Sequence, residues 1–275
     1  MVLLLLHMEA TQQETRNDYD IGQEVFSMKR LLFVTLIAFT AQLFAQDKIP
    51  VGTILPVQLN SSLNSNKARA GEQISGRVMQ DVPLLGGRKI HAGAKVIGHI
   101  VSARAAVDGI MSDLSLQFDT LAMGKQRFTM STNLRALATM MDVSEAQIPE
   151  SGPDRGTSEN EWTTDQIGGE VVYRGGVVAH GSNIVGSSVL GSGVLVHVSS
   201  RPGTKCRGEI LGNDRPQALW VFSSDACGLF DLPKLTLAHA GRTDPVGQIK
   251  LLSDKGNVRV PGGSGMLLRV NGTTP

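Results

Sequence analysis

The residues best equipped for chemistry lie in the C-terminal third, where Ser223, Ser224 and Asp225 are followed by His239 and Asp244. Serine, histidine and aspartate are the parts of a nucleophilic triad, in which a base takes the hydroxyl proton and an acid orients the base. The G-x-S-x-G elbow that exposes such a serine is missing, and Ser and Asp also populate loops because they hydrogen-bond nearby backbone. An exported serine hydrolase using Ser223 or Ser224 with His239 is therefore the alternative reading, and no catalytic residue is assigned. The histidines at 91, 99, 180, 197 and 239 have no HxH, HExxH or CxxC spacing, so no metal and no cofactor is expected. Gly262-Gly263-Ser264-Gly265 lacks the lysine and following helix of a phosphate cradle and reads as a turn.

Chemistry of another kind is expected at Cys206 and Cys227. In an oxidising compartment two cysteines have one possible connectivity, and closing a loop of about 20 residues adds roughly 3 kcal/mol on the chain-entropy argument. The compartment is read from residues 28–45. Lys29-Arg30 precede an apolar run from Leu31 to Phe44, and Ala45-Gln46 offers a cleavage point, which together read as a signal peptide. About 14 apolar residues fall short of the roughly 20 a spanning helix needs, so cleavage is favoured over anchoring and the mature chain is expected to have no integral span. Residues 1–27 do not fit a secretory leader and are read as a mis-started extension, with Met28 as initiator. The expected destination is the periplasm, the outer membrane's periphery or the medium.

The elements that must hold these residues are short strands. A Gly-centred turn running into β-favouring residues recurs at Gly52, Gly93, Gly181 and Gly263, and Ile49–Asn60 aligns without gaps on Val260–Asn271. Glycine supplies φ > 0 in each turn, and the branched residues after it suit a pleated surface. Ser112 to Leu121 alternates strictly, with Leu114, Leu116 and Phe118 on one face, and a hairpin through Ala122–Lys125 is expected to return along Arg127–Leu134. Leu137, Met140, Met141 and Ala146 mark a short helix, residues 150–166 a polar linker or long loop, and 218–223, 235–239, 247–252 and 265–270 further strands. Glycine-studded residues 175–198 carry too many polar side chains for a membrane helix and are read as β-arms. The fold class is all-β, an antiparallel barrel or sandwich of short strands. One β-region at 46–149 and a second at 167–275 are expected, the second completing the same sheet by pairing the last strand with the first.

Composition narrows the functions. Lys plus Arg number 26 against 25 for Asp plus Glu, which excludes the basic excess of a nucleic-acid binder. Aromatics are only 4%, too few for the stacking platforms that grip sugars or bases.

Ile49-Pro50-Val51-Gly52-Thr53-Ile54, Gln80-Asp81-Val82, Ile90 to Gly98 and Leu116-Gln117-Phe118-Asp119 together resemble the TrbI-type conjugal-transfer family, the outer channel component of type IV secretion. The likeness spans about residues 49–137, with His91 where the family has proline. It implies a β-barrel domain. The chain is thus expected to be an exported, non-enzymatic β-protein with a structural or adaptor role in the cell envelope, or alternatively a module that binds a peptide strand at a sheet edge. An envelope protein partner fits either role; oligomeric state is not legible.

Overall fold

Turns of one design set the frame. In the computed structural model, which describes residues 48–148, 163–169, 171–173, 176–189, 193–198 and 215–272, Thr53, Ala94 and Ser264 donate backbone N–H to Pro50, His91 and Pro261 three residues back. Gly52, Gly93 and Gly263 each take φ near +85 in these turns (+85, +87 and +84), the position of a type II turn where a Cβ is penalised. Each glycine N–H then donates to the end of a neighbouring strand, whose N–H returns a bond to the residue after the glycine.

These bonds come in swapped pairs. Gly52 N–H donates to Val270 O (2.8 Å) and Val270 N–H to Thr53 O (2.9 Å), while Gly263 N–H donates to Leu59 O and Leu59 N–H to Ser264 O, both at 2.9 Å. The two sequence copies are therefore antiparallel partners, each turn clasping the other's strand end. A second pair repeats the design: Gly71 N–H donates to Ile100 O (2.8 Å) and Gly93 N–H to Val78 O (2.7 Å), with Ile100 and Val78 donating back to Glu72 and Ala94. Gly71, φ +81, was not among the expected units, because the polar residues from Asn60 onward read as loop. Gly181 is of a different kind. It lies, at φ +62, in a two-residue hairpin turn closed by the His180–Asn183 pair.

The strands are β1 (Ile54–Leu59), β2 (Leu63–Asn64), β3 (Gln73–Val78), β4 (Val82–Pro83), β5 (Lys89–Ile90), β6 (Lys95–Arg104), β7 (Ser112–Met123), β8 (Gln126–Thr129), β9 (Ser131–Ala138), β10 (Thr163–Asp165), β11 (Val171–Tyr173), β12 (Val177–His180), β13 (Asn183–Val189), β14 (Gly193–Val196), β15 (Gln217–Ala218), β16 (Gly228–Phe230), β17 (Thr236–Ala240), β18 (Gln248–Ser253), β19 (Arg259–Val260) and β20 (Gly265–Gly272). The one α-helix among the described residues, α1 (Met140–Gln147), starts at a Thr139–Asp142 capping box. The large sheet runs β16-β9-β20-β1-β3-β6-β7-β18-β17, with β8 also on β7; a second sheet runs β10 to β15 in order.

The all-β class holds, and the last strand does pair with the first, Ile54 opposite Arg269 through Gln58 opposite Gly265. Two expectations are corrected. Among the described residues no sheet closes into a barrel, since β16 and β17 end the large sheet without pairing each other. The sheet is also mixed, because β16 lies parallel to β9. The return arm expected at Arg127–Leu134 breaks at Met130: β8 pairs β7, whereas β9 leaves to pair β20. β18 takes the vacated edge of β7 between Ser112 and Gln117. Met130 N–H to Asp119 O (2.8 Å) and Thr132 Oγ1 to Phe118 O (3.1 Å) hold β9 across β7, so the sheet rolls strongly without sealing.

Two cores follow from the two faces. Leu55, Val57, Leu59, Phe118, Leu134, Met266 and Leu268 fill the inside of the roll, while Ile54, Ala136, Ala138 and Leu267 point outward and pack with Val143 of α1, Val178, Val194 and Val196. β9 is buried along its whole length because both of its faces are covered. The linker expected at 150–166 falls mostly outside the described residues; its end, Thr163–Asp165, is β10.

Candidate functional site: a groove between the ends of the sheet

Gln217-Ala218-Leu219-Trp220-Val221-Phe222 has the composition of a buried strand, and 218–223 was expected to be one. Only Gln217 and Ala218 enter a ladder; Leu219 to Ser223 form a buried turn instead, with Trp220 at φ +53 and Phe222 N–H donating to Leu219 O at 2.9 Å. Buried glutamines make this affordable by satisfying backbone that no strand pairs. Gln80 Oε1 accepts from Trp220 N–H (2.7 Å) while its Nε2 donates to Val194 O (2.9 Å). Gln217 Oε1 accepts from Ile54 N–H (3.2 Å), and the Gln166 amide faces the carbonyls of Trp220 (2.9 Å) and Val221 (3.1 Å). Sequence reasoning gave these three residues no backbone-satisfying role, although Gln80 is among those that carry the family likeness. Their signal was weak: isolated glutamines at the edges of apolar runs.

The same turn delivers Ser223 to Cys227, and here the triad residues separate. Ser223 is fully buried, and its Oγ has no hydrogen-bond partner among the described residues. His239 Nδ1 lies 2.6 Å from Gln248 O and Nε2 lies 3.1 Å from Thr243 Oγ1. Asp225 meets His180 instead, Oδ2 to Nδ1 at 3.4 Å. The remaining histidines are dispersed: His99 pairs Asp119 (2.9 Å), His91 stands 3.8 Å from Asp81, and His197 is exposed. Among the described residues no three His, Cys, Asp or Glu side chains come together as a metal site.

Arg135 of β9 fixes where the chain goes next. Fully buried, it donates Nε to Ala226 O (3.0 Å) and Nη2 to Ser224 O (2.6 Å), anchoring the segment immediately before β16. Cys227 is not a free thiol; its expected partner, Cys206, lies outside the described residues.

From Cys227 the chain runs along β9 as β16, turns through Asp231–Leu235, and returns along β18 as β17. β16 and β17 are consecutive, yet each is hydrogen-bonded on its far side only, and among the described residues neither has a strand on the edge facing the other. A groove of about 670 Å³ occupies the gap, within the roughly 300–1,000 Å³ of ordinary ligand sites. Leu229, Leu232, Leu235 and Leu237 line it, half-buried against the inner core, and Asp231, Thr236 and Arg242 add polar groups to its wall.

Asp231, at φ +47, sits at the apex of the groove and borders two further hollows. One, of about 380 Å³, shares the Asp231–Leu235 wall and adds Lys255 and Arg259. The other, of about 650 Å³, holds Asp142, Glu145 and Asp165 beside Phe230. Side chains alternate along a strand, and Phe230 packs on the outer core while Leu229 packs on the inner one, so those carboxylates lie on the opposite face of β16 from the groove.

The Lys89 ammonium bonded to Asp81 (2.6 Å), with help from the Ala92 N–H (2.8 Å), holds the Asp81 carboxyl below the usual carboxylate range and braces the Gly93 turn. No helix of the described residues is long and apolar enough to cross a membrane. Compared with protein-family models, with curated proteins and with solved structures, the chain matches none.

Proposed function

We propose that this is an exported, non-enzymatic β-protein with a structural or adaptor role in the cell envelope, engaging its partner by strand addition. The observation that carries the reading is the leucine-lined groove beside β16 and β17, each of which has one strand edge unpaired among the described residues. Unpaired N–H and C=O groups on an edge are a template for an incoming strand, and pockets between side chains select its sequence. The signal-like segment at 28–45 supports export, and the likeness to the TrbI-type family supports an envelope setting.

Fractionation with mass spectrometry tests export: a mature chain starting at Gln46, in the envelope or medium, with Cys206 and Cys227 joined. Recovery from the cytoplasm with both thiols reduced overturns it. Strand addition is tested separately with a fluorescent peptide alternating valine and threonine. Binding that disappears when alternate peptide nitrogens are methylated supports a hydrogen-bonded ladder; equal binding of the methylated peptide rules it out.

A further inference from the structure

Lys234, Lys255 and Arg259 line one hollow of about 380 Å³. All three are exposed, and none forms an ion pair or a side-chain hydrogen bond among the described residues. Their backbones are nonetheless held in place. Leu235 N–H donates to Leu232 O (2.9 Å) across the turn that carries Lys234. Lys255 N–H donates to Ser253 Oγ (3.3 Å), and Ser112 Oγ donates to the next carbonyl, Gly256 O (2.7 Å). Arg259 is set between Val258 and Val260, both buried. Three like charges are thus kept on one wall, where their mutual repulsion is relieved by a bound anion.

Little counter-charge comes from the protein itself. Asp231 is the one acid on that wall, and Asp254, beside Lys255 in sequence, lines the neighbouring hollow with Ala106–Met111 instead. Asn257 adds a donor to the wall: its Oδ1 accepts from Ala106 N–H (2.8 Å), and its Nδ2 has no partner among the described residues. The hollow is near the lower end of the roughly 300–1,000 Å³ of ligand sites, a size for a small molecule or a single headgroup. Leu232, Pro233 and Leu235 give it an apolar side for a carbon skeleton. Arginine meets phosphate oxygens with paired donors and lysine meets them as a point charge. A phosphate monoester near neutral pH brings a charge of about −1.5 to −2 to three cations, more than a single carboxylate does.

We propose that this hollow binds a phosphate monoester, its phosphate among Lys234, Lys255 and Arg259 and its carbon skeleton on Leu232, Pro233 and Leu235. Such a site needs no unpaired strand edge, so it stands or falls separately from strand addition. Calorimetric titration of the mature protein with phenyl phosphate tests it, with benzoate and phenol as the singly charged and neutral controls. Cosedimentation with phosphatidylcholine vesicles containing phosphatidic acid tests whether the ester is a lipid headgroup. At low ionic strength phenyl phosphate should bind about tenfold tighter than benzoate, an advantage that should vanish in about 1 M salt, where screening acts within about 3 Å. A K234Q/K255Q/R259Q variant, shown by its melting curve to be folded, should bind about tenfold more weakly than the parent. Lys255→Gln alone should give a smaller loss in the same direction. A K95Q/K125Q/R127Q variant, which removes the same charge from exposed positions elsewhere, should bind as the parent does. Binding of phenyl phosphate supports a soluble ester, and binding of the vesicles alone supports a headgroup. Binding of neither, or equal binding of benzoate, overturns the phosphate site; equal losses in the two triple variants show net charge at work and overturn it as well.

Discussion

The centre of the large sheet and its two ends are built on opposite principles. At the centre, β20, β1, β3 and β6 lie side by side in two swapped pairs, every turn hydrogen-bonded to the strand end of its counterpart, and the outer face of β1 and β20 is covered too. At the ends, β16 and β17 are consecutive in the chain and still do not pair. Sequence proximity therefore does not decide pairing here. Gly52 and Val270 meet across nearly the whole chain because their turns complement each other, whereas β16 is drawn to β9 by Arg135 and β17 to β18 by its ladder. The lesson is that complementary turns complete the pairing at the centre, whereas the ends keep an unpaired edge among the described residues.

The strongest way to break this contrast is to remove β20. Truncation before Gly256 takes away the strand between β9 and β1, and the remaining chain should lose its sharp thermal transition altogether. A truncated protein that melts like the full chain would mean that the centre does not hold the fold.

Next in size is a matched pair of leucines. Leu268→Ala, in the fully buried centre, should cost about 2–5 kcal/mol in denaturant unfolding. Leu237→Ala, on the half-exposed groove wall, should cost about 1 kcal/mol or less. Equal losses would show that the groove wall is core rather than a site in waiting.

Smaller effects sharpen the symmetry of the centre. Gly52→Ala and Gly263→Ala each place a Cβ at positive φ, at about 1–2 kcal/mol. The second should cost more, since its Cβ would lie 3.0 Å from Met140 Cγ, against 3.9 Å to the tip of Arg269 at Gly52. Adding Met140→Ala to Gly263→Ala should bring the two sites level.

The smallest effect is a pH dependence. Asp81 has its carboxyl pKa lowered in the folded protein by Lys89, so its contribution is present above the ordinary carboxylate range and lost as pH falls through and below it. Because the side chain is 42% exposed, the loss should be slight. Comparing acid unfolding of Asp81→Asn with the parent should give a flatter profile for the variant below about pH 4.

How much of this was legible varied with how local the cause was. The alternation of Leu114, Leu116 and Phe118 located β7 because a half-buried strand writes its period into its own residues. The break at Met130 was not legible, since Phe128 and Leu134 continue one pattern while pairing with different strands. Leu219-Trp220-Val221-Phe222 misled because burial alone makes a run apolar, whether or not a ladder satisfies its backbone. Where the triad candidates point was not legible for a related reason: Asp225 and His239 are near Ser223 in sequence, but packing sets Asp225 beside His180 and His239 beside Gln248 and Thr243.

By itself the sequence determined the class of the fold, the glycine turns and the pairing of first strand with last, because propensity, φ and matched repeats are properties of the residues concerned. Only the tertiary structure decided that the rolled sheet stays open, that Gly71 rather than Gly181 completes the swapped set, and that a leucine groove lies between β16 and β17. Each of those depends on which distant backbone groups satisfy one another, and hydrogen bonds between remote segments leave no periodic mark on the chain.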